Sequence, residues 1–206
     1  MQQSIQSQKQ LEIALSRLEW PNGFNIGLEQ YPTDPGLAAK IAVTAYLDGN
    51  VRNRTIADLG AGFGMLSCAF ALLGPKHVFA VEIDKNLADL GKRNCSNLSV
   101  TFINEDVRNF IENVDTVVMN PPFGSVNAHQ DRIFLEKALQ ISSVIYSIHN
   151  AKSASFVRNI YTSRGRILRD EAVNVKVPRI YGHHTHSWMD IPAVFLTTVV
   201  ESSGSA

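Results

Sequence analysis

The sequence predicts an α/β protein: a Rossmann-like, doubly wound, mostly parallel sheet with helices on both faces. Three observations predict it. From about residue 55 onward, short apolar runs alternate with helical patterns, the order that builds successive strand–helix–strand units. A glycine cluster, Gly60-Ala61-Gly62-Phe63-Gly64, follows the first of these runs, where such a sheet makes its first strand-to-helix turn. Acidic residues then stand just past the ends of successive strands, at the edge where sheets of this class bind ligands.

Residues 4–19 place Leu11, Ala14, Leu15 and Leu18 on one helical stripe, broken by Pro21-Asn22-Gly23. Residues 36–48 form a second helix, closed by Gly49. Thr55–Leu59 is the first strand, and a helix follows over Phe63–Leu73. His77–Ile83 is the next strand, with a helix over Asn86–Asn94 that Asp84 is placed to cap. Val100–Ile103 and Val114–Met119 are strands, Arg132–Ile141 a helix, and Ser143–Ile148 a further strand. A helix over Ser153–Thr162 precedes extended stretches at Ile167–Val177 and Ala193–Glu201. Those two have only a turn containing Gly182 between them, so they can pair antiparallel. The apolar run in Ala193–Glu201 predicts a strand with neighbours on both sides.

At 206 residues the chain fits one domain, and no interdomain linker or internal repeat is visible. Residues 1–50 are expected to supply N-terminal helices and a segment capping the ligand, and residues 201–206 a flexible tail. A hydrophobic fraction of 45% excludes a disordered or fibrous chain. Lys+Arg and Asp+Glu both number 19, which argues against nucleic-acid binding through bulk charge. The charge is uneven, however: His149 to His186 carries seven Lys/Arg against two acids, a hint of a polyanionic partner. No apolar h-region or membrane-length run is present, so a cytoplasmic, reducing setting is expected. Cys68 reads as core, and two cysteines make no disulfide scaffold. His183, His184 and His186 lack Cys or carboxylate partners at zinc spacing, so no metal site is expected. Trp20, before a turn, reads as packing, whereas Trp188 suits packing and stacking equally.

The glycine turn reads Asp58-x-Gly60-x-Gly62-x-Gly64, not the Gly-x-Gly-x-x-Gly of nicotinamide sites. An acid before the first glycine suits a cationic ligand better than a pyrophosphate, and S-adenosylmethionine brings a sulfonium and an ammonium there. Glu82 ends the second strand, where a carboxylate can accept both ribose hydroxyls. Asp106, after the third, can accept from an adenine amino group, with a neighbouring backbone N–H serving the ring. Singly, each acid is an ordinary loop carboxylate; three at successive strand ends point to one ligand.

After the fourth strand the chain reads Asn120-Pro121-Pro122-Phe123-Gly124. Elsewhere this would be a plain rigid turn. Here it leaves the sheet at the ligand edge. A ring-conjugated exocyclic amine is a poor nucleophile because its lone pair is delocalised. The Asn120 side-chain oxygen and the Pro121 carbonyl can each accept one amine hydrogen and aim that lone pair at a methyl group. The prolines fix the turn beforehand, and Phe123 can stack on the target ring.

Asp58–Gly64 together with Asn120–Phe123 resembles the class I S-adenosylmethionine-dependent methyltransferases that modify amino groups. Glu29-Gln30-Tyr31-Pro32-Thr33 and Tyr146-Ser147-Ile148-His149 narrow the resemblance to the methyltransferase-like protein 5 family, which makes N6-methyladenosine in small-subunit ribosomal RNA. The resemblance implies a sheet of about seven strands with only the last antiparallel. It implies that Gln30, Tyr31 and Thr33 close over the methionine end of the cofactor. It implies that Asp58, Gly60 and Gly62 hold the amino acid portion, Glu82 the ribose, and Asp106 with Val107 the adenine. Asn120, Pro121, Pro122 and Phe123 would form the catalytic turn, with Asn120 also bordering the cofactor. RNA would be met through the basic 149–186 region, and a small zinc-binding activator subunit would cover a sheet edge, for which Val100–Ile103 is the candidate. Two alternatives stay open: a methyltransferase acting on a protein glutamine amide, which needs the same turn, and an RNA-binding module without catalysis. Phe123 in place of tyrosine and the short N-terminal region disfavour the first, and the intact Asn120 disfavours the second.

Overall fold

The computed structural model of the chain describes residues 7–23, 32–123, 130–178 and 188–201. Among these residues six α-helices and seven strands follow in order: α1 (Gln8–Leu15), α2 (Pro35–Leu47), β1 (Thr55–Leu59), α3 (Met65–Ala71), β2 (His77–Val81), α4 (Lys85–Asn94), β3 (Val100–Ile103), β4 (Val114–Met119), α5 (Gln130–Ile141), β5 (Ser142–Asn150), α6 (Ala154–Thr162), β6 (Gly165–Pro178) and β7 (Trp188–Val200). The strands form one sheet in the order β3-β2-β1-β4-β5-β7-β6. β1 pairs with both β2 and β4 in parallel, as do β2 with β3 and β4 with β5. β7 inserts between β5 and β6 and runs antiparallel to both, as expected from its apolar run.

Side chains alternate across the sheet with period two, so each strand feeds two cores. Ile56, Val118, Tyr146 and Phe195 pack against α1 to α4. Ala57, Val117, Ile145 and Leu196 pack against α5 and α6. β7 carries Pro192 in its first part, where it pairs with Asn174 of β6 alone, because pairing with β5 starts only at Ala193. β6 is an edge strand, and a register shift between Ile167 and Arg169 leaves Leu168 unpaired on β7, which interrupts the edge.

Several expectations change: β7 starts at Trp188 and not Ala193, and β2 ends at Val81 and not Ile83. α1 is shorter than the residue 4–19 stripe, because Ser7 caps it by accepting from the Gln10 amide at 3.2 Å. α3 begins at Met65 and not Phe63: Gly64 sits at φ 92°, a left-handed conformation that keeps the turn out of the helix. Cys68 is not a simple core thiol. It is disulfide-bonded to Cys95, the residue just after α4, with their Cα atoms 5.8 Å apart. Close approach brings the pair together: a Cβ on Gly64 would lie 3.1 Å from the Cys95 sulfur. Trp20 does pack, with its ring 5.0 Å from that of Phe63. Among the described residues no helix is long and apolar enough to cross a membrane.

Candidate functional site

The strand order reverses between β1 and β4, and the carboxyl ends of these strands open onto a cavity of about 380 Å³. The glycine turn forms one wall. The amides of Gly60 and Ala61 both donate to the Val81 carbonyl, at 2.9 and 3.0 Å, which folds the turn over the end of β2. Gly62, at φ 55°, donates its amide to Glu82 Oε2 at 2.8 Å.

Glu82 is buried, and its other oxygen accepts from the Asp84 amide at 2.8 Å. One carboxylate thus ties the glycine turn to the start of α4. Burial raises its pKa, and the two amides oppose that rise. Each oxygen keeps a lone pair for a further donor. Asp84 caps α4, accepting from the Asn86 and Leu87 amides. Asn104 adds a brace by donating to the Glu82 and Ile83 carbonyls at 2.9 and 3.0 Å.

Asp58, at the end of β1, has no exposed surface. Ser67 of α3 donates to its Oδ2 at 2.6 Å, while Oδ1 is buried with no hydrogen-bond partner among the described residues. Burial pushes this carboxyl up to about 7. A half-satisfied buried carboxylate beside a cavity is a site for a cationic donor, and an ammonium group supplies both the charge and the hydrogens.

Asp106 lies at the opposite wall, where it caps the short turn Val107–Asn109. Arg108 grips it: Nε donates to Oδ1 at 2.9 Å and Nη2 to Oδ2 at 2.6 Å. That guanidinium holds the Asp106 carboxyl below the usual range. An adenine amino group would therefore share Asp106 with an arginine. Val107 is buried at the same wall.

Asn120 follows β4 and borders the cavity, with Pro122. Its Nδ2 donates to Thr33 Oγ1 at 3.0 Å, and Thr33 borders the cavity as well. Pro121 is buried. Phe123 is buried too, packed into the cluster on the α1-to-α4 face and not among the cavity-lining residues. Gln30 and Tyr31 lie outside the described residues.

Among the lining residues not singled out from the sequence are Arg108, and Ile133 and Phe134 of α5. A Cβ on Gly60 would meet the Phe134 ring at 3.1 Å, so the bare glycine lets α5 close onto the cavity. The apolar pattern of α5 offered Ile133 and Phe134 only as generic core, because which way a helix faces is settled by docking.

Among its described residues, the basic 149–186 region does not form one patch. β6 runs from Gly165, paired with Val200, to Pro178, paired with Trp188. Arg166 and Lys176 are therefore some 30 Å apart at about 3.3 Å per residue. Lys152 and Lys176 stand towards the cavity edge, and Arg164 and Arg166 towards the opposite edge. Arg158 is spent on Asp170, which it binds through two nitrogens at 2.6 and 2.8 Å. Arg179 and the three turn histidines fall outside the described residues.

A family model described as the methyltransferase small domain matches residues 38–141, half of the chain and most of the cavity wall. The rRNA N(6)-adenosine-methyltransferase Mettl5 of Drosophila melanogaster is 32% identical over 195 residues, covering 86% of this chain and 91% of that one. A solved structure from Pyrococcus horikoshii, described as a candidate RNA methyltransferase, superposes with a TM-score of 0.88 at 34% identity, covering 95% of this chain and 98% of that one. The magnesium protoporphyrin IX methyltransferase of Synechocystis, solved with S-adenosylmethionine bound, shares the fold at 14% identity, with a TM-score of 0.66 and coverage of 92% and 90%. A match that runs through the glycine turn, the acidic strand ends and the Asn-Pro-Pro turn, backed by a relative aligned over nearly its whole length, places this chain in the methyltransferase small-domain family.

Proposed function

We propose that this chain transfers a methyl group from S-adenosylmethionine to the exocyclic N6 of an adenine in RNA, with small-subunit ribosomal RNA as the substrate. The observation that carries the reading is the placement of Asn120 and Pro122 on the same cavity as Asp58 and Glu82, so that an amine held at the turn faces a ligand held at the glycine loop. Likeness to the Drosophila rRNA N(6)-adenosine methyltransferase supports adenine in RNA over other amines.

The cavity suits the cofactor chemically. Asp58 has an unsatisfied oxygen for the ammonium, Glu82 has spare lone pairs for the ribose, and Val107 with Asp106 borders the adenine end. When bound, S-adenosylmethionine supplies an electrophilic methyl whose bond to sulfur breaks as the bond to nitrogen forms. The residues of this chain do the remaining work. Asn120 Oδ1 and the Pro121 carbonyl accept the two amine hydrogens and draw the nitrogen towards a tetrahedral shape. The prolines hold both acceptors in place before the substrate arrives, so little reorganisation is needed for in-line displacement. The amine proton leaves to water once the N–C bond has formed. Phe123 meets the base only if its ring leaves the core packing it has here.

RNA approaches across the carboxyl edge, where Lys152 and Lys176 are exposed. A zinc-binding activator subunit is proposed at β3, which among the described residues has β2 as its only ladder partner and lies at the edge of the sheet. The test is methyl transfer from labelled cofactor to ribosomal subunits, with the product nucleoside identified by mass. N6-methyladenosine in RNA is expected. Methyl-glutamine in protein with none in RNA would replace this reading with its closest rival.

A further inference from the structure

We propose that Ser67 is a positioning residue for the cofactor: its hydroxyl holds one oxygen of Asp58 and so leaves the other to the cofactor's ammonium group. The inference rests on the reading of Asp58 as the partner of that ammonium.

A carboxylate beside a cavity serves a cationic ligand when one of its oxygens is kept unclaimed. An ionised carboxylate carries no hydrogen, so a hydroxyl that bonds to it must donate. Ser67 Oγ donates to Asp58 Oδ2 at 2.6 Å, and neither residue has exposed surface. Oδ1 is buried without a hydrogen-bond partner among the described residues, and Asp58 borders the cavity. The side chain is thus held at one oxygen and open at the other. Serines on helices often return their hydroxyl to a carbonyl three or four residues earlier, as Ser16 and Ser163 do at the ends of α1 and α6. Ser67 instead reaches across to β1.

Both partners stand on fixed supports. Asp58 lies on β1, where it pairs with Ala80 of β2 and Val118 of β4. Ser67 belongs to the first turn of α3, which is buried along its whole length, and Met65 and Leu66 of that turn border the cavity. Burial raises the Asp58 carboxyl to about 7, the Ser67 hydroxyl and amide oppose the rise, and the Glu82 carboxylate adds to it. α3 carries no ionisable side chain besides the disulfide-bonded Cys68. On α2, Lys40 pairs with Glu171 of β6, Tyr46 lies under Arg52, and Asp34 caps the helix. His77 of β2 and Asp115 of β4 stand at the Thr55 end of β1. Glu105, Asp106 and Arg108 also border the cavity, and among the described residues no histidine does.

Ser67→Ala removes the hydroxyl and little else. The first readout needs no ligand. With aspartate carboxyl carbons labelled, and the Asp58 signal assigned by its loss in Asp58→Asn, the titration midpoint should move from about 7 in the parent to about one unit higher in Ser67→Ala. The second readout is binding of S-adenosylhomocysteine, which carries the same ammonium. A one-unit rise predicts a loss of affinity of roughly 10-fold at pH 6, where the ligand must displace a proton, shrinking to roughly 2-fold at pH 8. A serine that served packing alone would lower affinity equally at both pH values. An unmoved carboxyl midpoint, parental affinity at pH 6, or the same loss at pH 6 and pH 8 would each overturn the proposal. Asp58→Asn binding the ligand as tightly as the parent would strike the reading of Asp58 and this proposal with it, a failure told apart from the others because it appears without any change at Ser67.

Discussion

Burial holds the Asp58 carboxyl at about pH 7, with Ser67 opposing the rise and the nearby Glu82 carboxylate adding to it. The folded chain thus keeps the proton on Asp58 where the unfolded chain has lost it. Stability from this group is complete below the ordinary aspartate pKa, falls as pH rises towards 7, and is gone above it. Asp58→Asn removes that loss. At pH 8 the free variant should be more stable than the parent by a few kcal/mol, on the order given by a shift of this size, while at pH 4 the two should nearly coincide. Denaturant titrations at both pH values check this. The same variant should bind S-adenosylmethionine poorly, because a neutral amide cannot balance an ammonium. In the parent, binding a cation requires the ionised form, so cofactor affinity should weaken as pH falls below about 7, by up to tenfold per unit. Affinity that ignored pH would separate Asp58 from the cationic group. The sequence exposed Asp58, Glu82 and Asp106 because an acid at a strand end is legible by position alone. It could not show that Arg108 grips Asp106, since an exposed arginine has many equivalent partners until the turn is folded.

Helix α5 closes the Asp106 side of the cavity in two ways. Ile133 and Phe134 line it, and Lys137 donates to the Arg108 and Phe110 carbonyls at 3.1 and 2.7 Å, clamping the turn that carries Asp106 and Val107. Lys137→Met keeps the aliphatic stem and removes both bonds. It should lower stability by about 1.5 kcal/mol, the scale of hydrogen bonds from a charged group, and weaken cofactor binding severalfold without changing the rate at saturation. Thermal unfolding together with calorimetric titration measures both effects. At this scale the sequence was readable where strands are short and apolar: Thr55–Leu59, Val100–Ile103 and Val114–Met119 have the bounds that the residues suggest. It was less readable where glycine or a cap overrides the apolar pattern, as at Gly64 and Ser7. Phe123 shows a different limit. An aromatic after two prolines is compatible with stacking on a base or with filling a core, and here the core takes it.

Across the whole molecule, the Cys68–Cys95 bond joins α3 to the end of α4, the helices that precede and follow β2 in the chain. It closes a loop with a sequence separation of 27, so its reduction should remove up to about 3.5 kcal/mol of stability while the fold persists. Unfolding midpoints with and without dithiothreitol test that, and coincident midpoints would mean the bridge restrains little. Everything else converges on one arrangement: the sheet order puts the Asn-Pro-Pro turn after β4 on the same cavity as the glycine turn after β1 and Glu82 after β2. The most direct test is single-turnover methyl transfer by Asn120→Ala on ribosomal RNA, run beside a cofactor-binding titration. The expected result is nearly intact cofactor binding with a rate lowered by about 100- to 1000-fold, the cost of losing one preorganised group that acts where charge develops. A variant that turned over at close to the parental rate would make the Asn-Pro-Pro turn purely structural, and the assignment of amino-group methylation would fall with it.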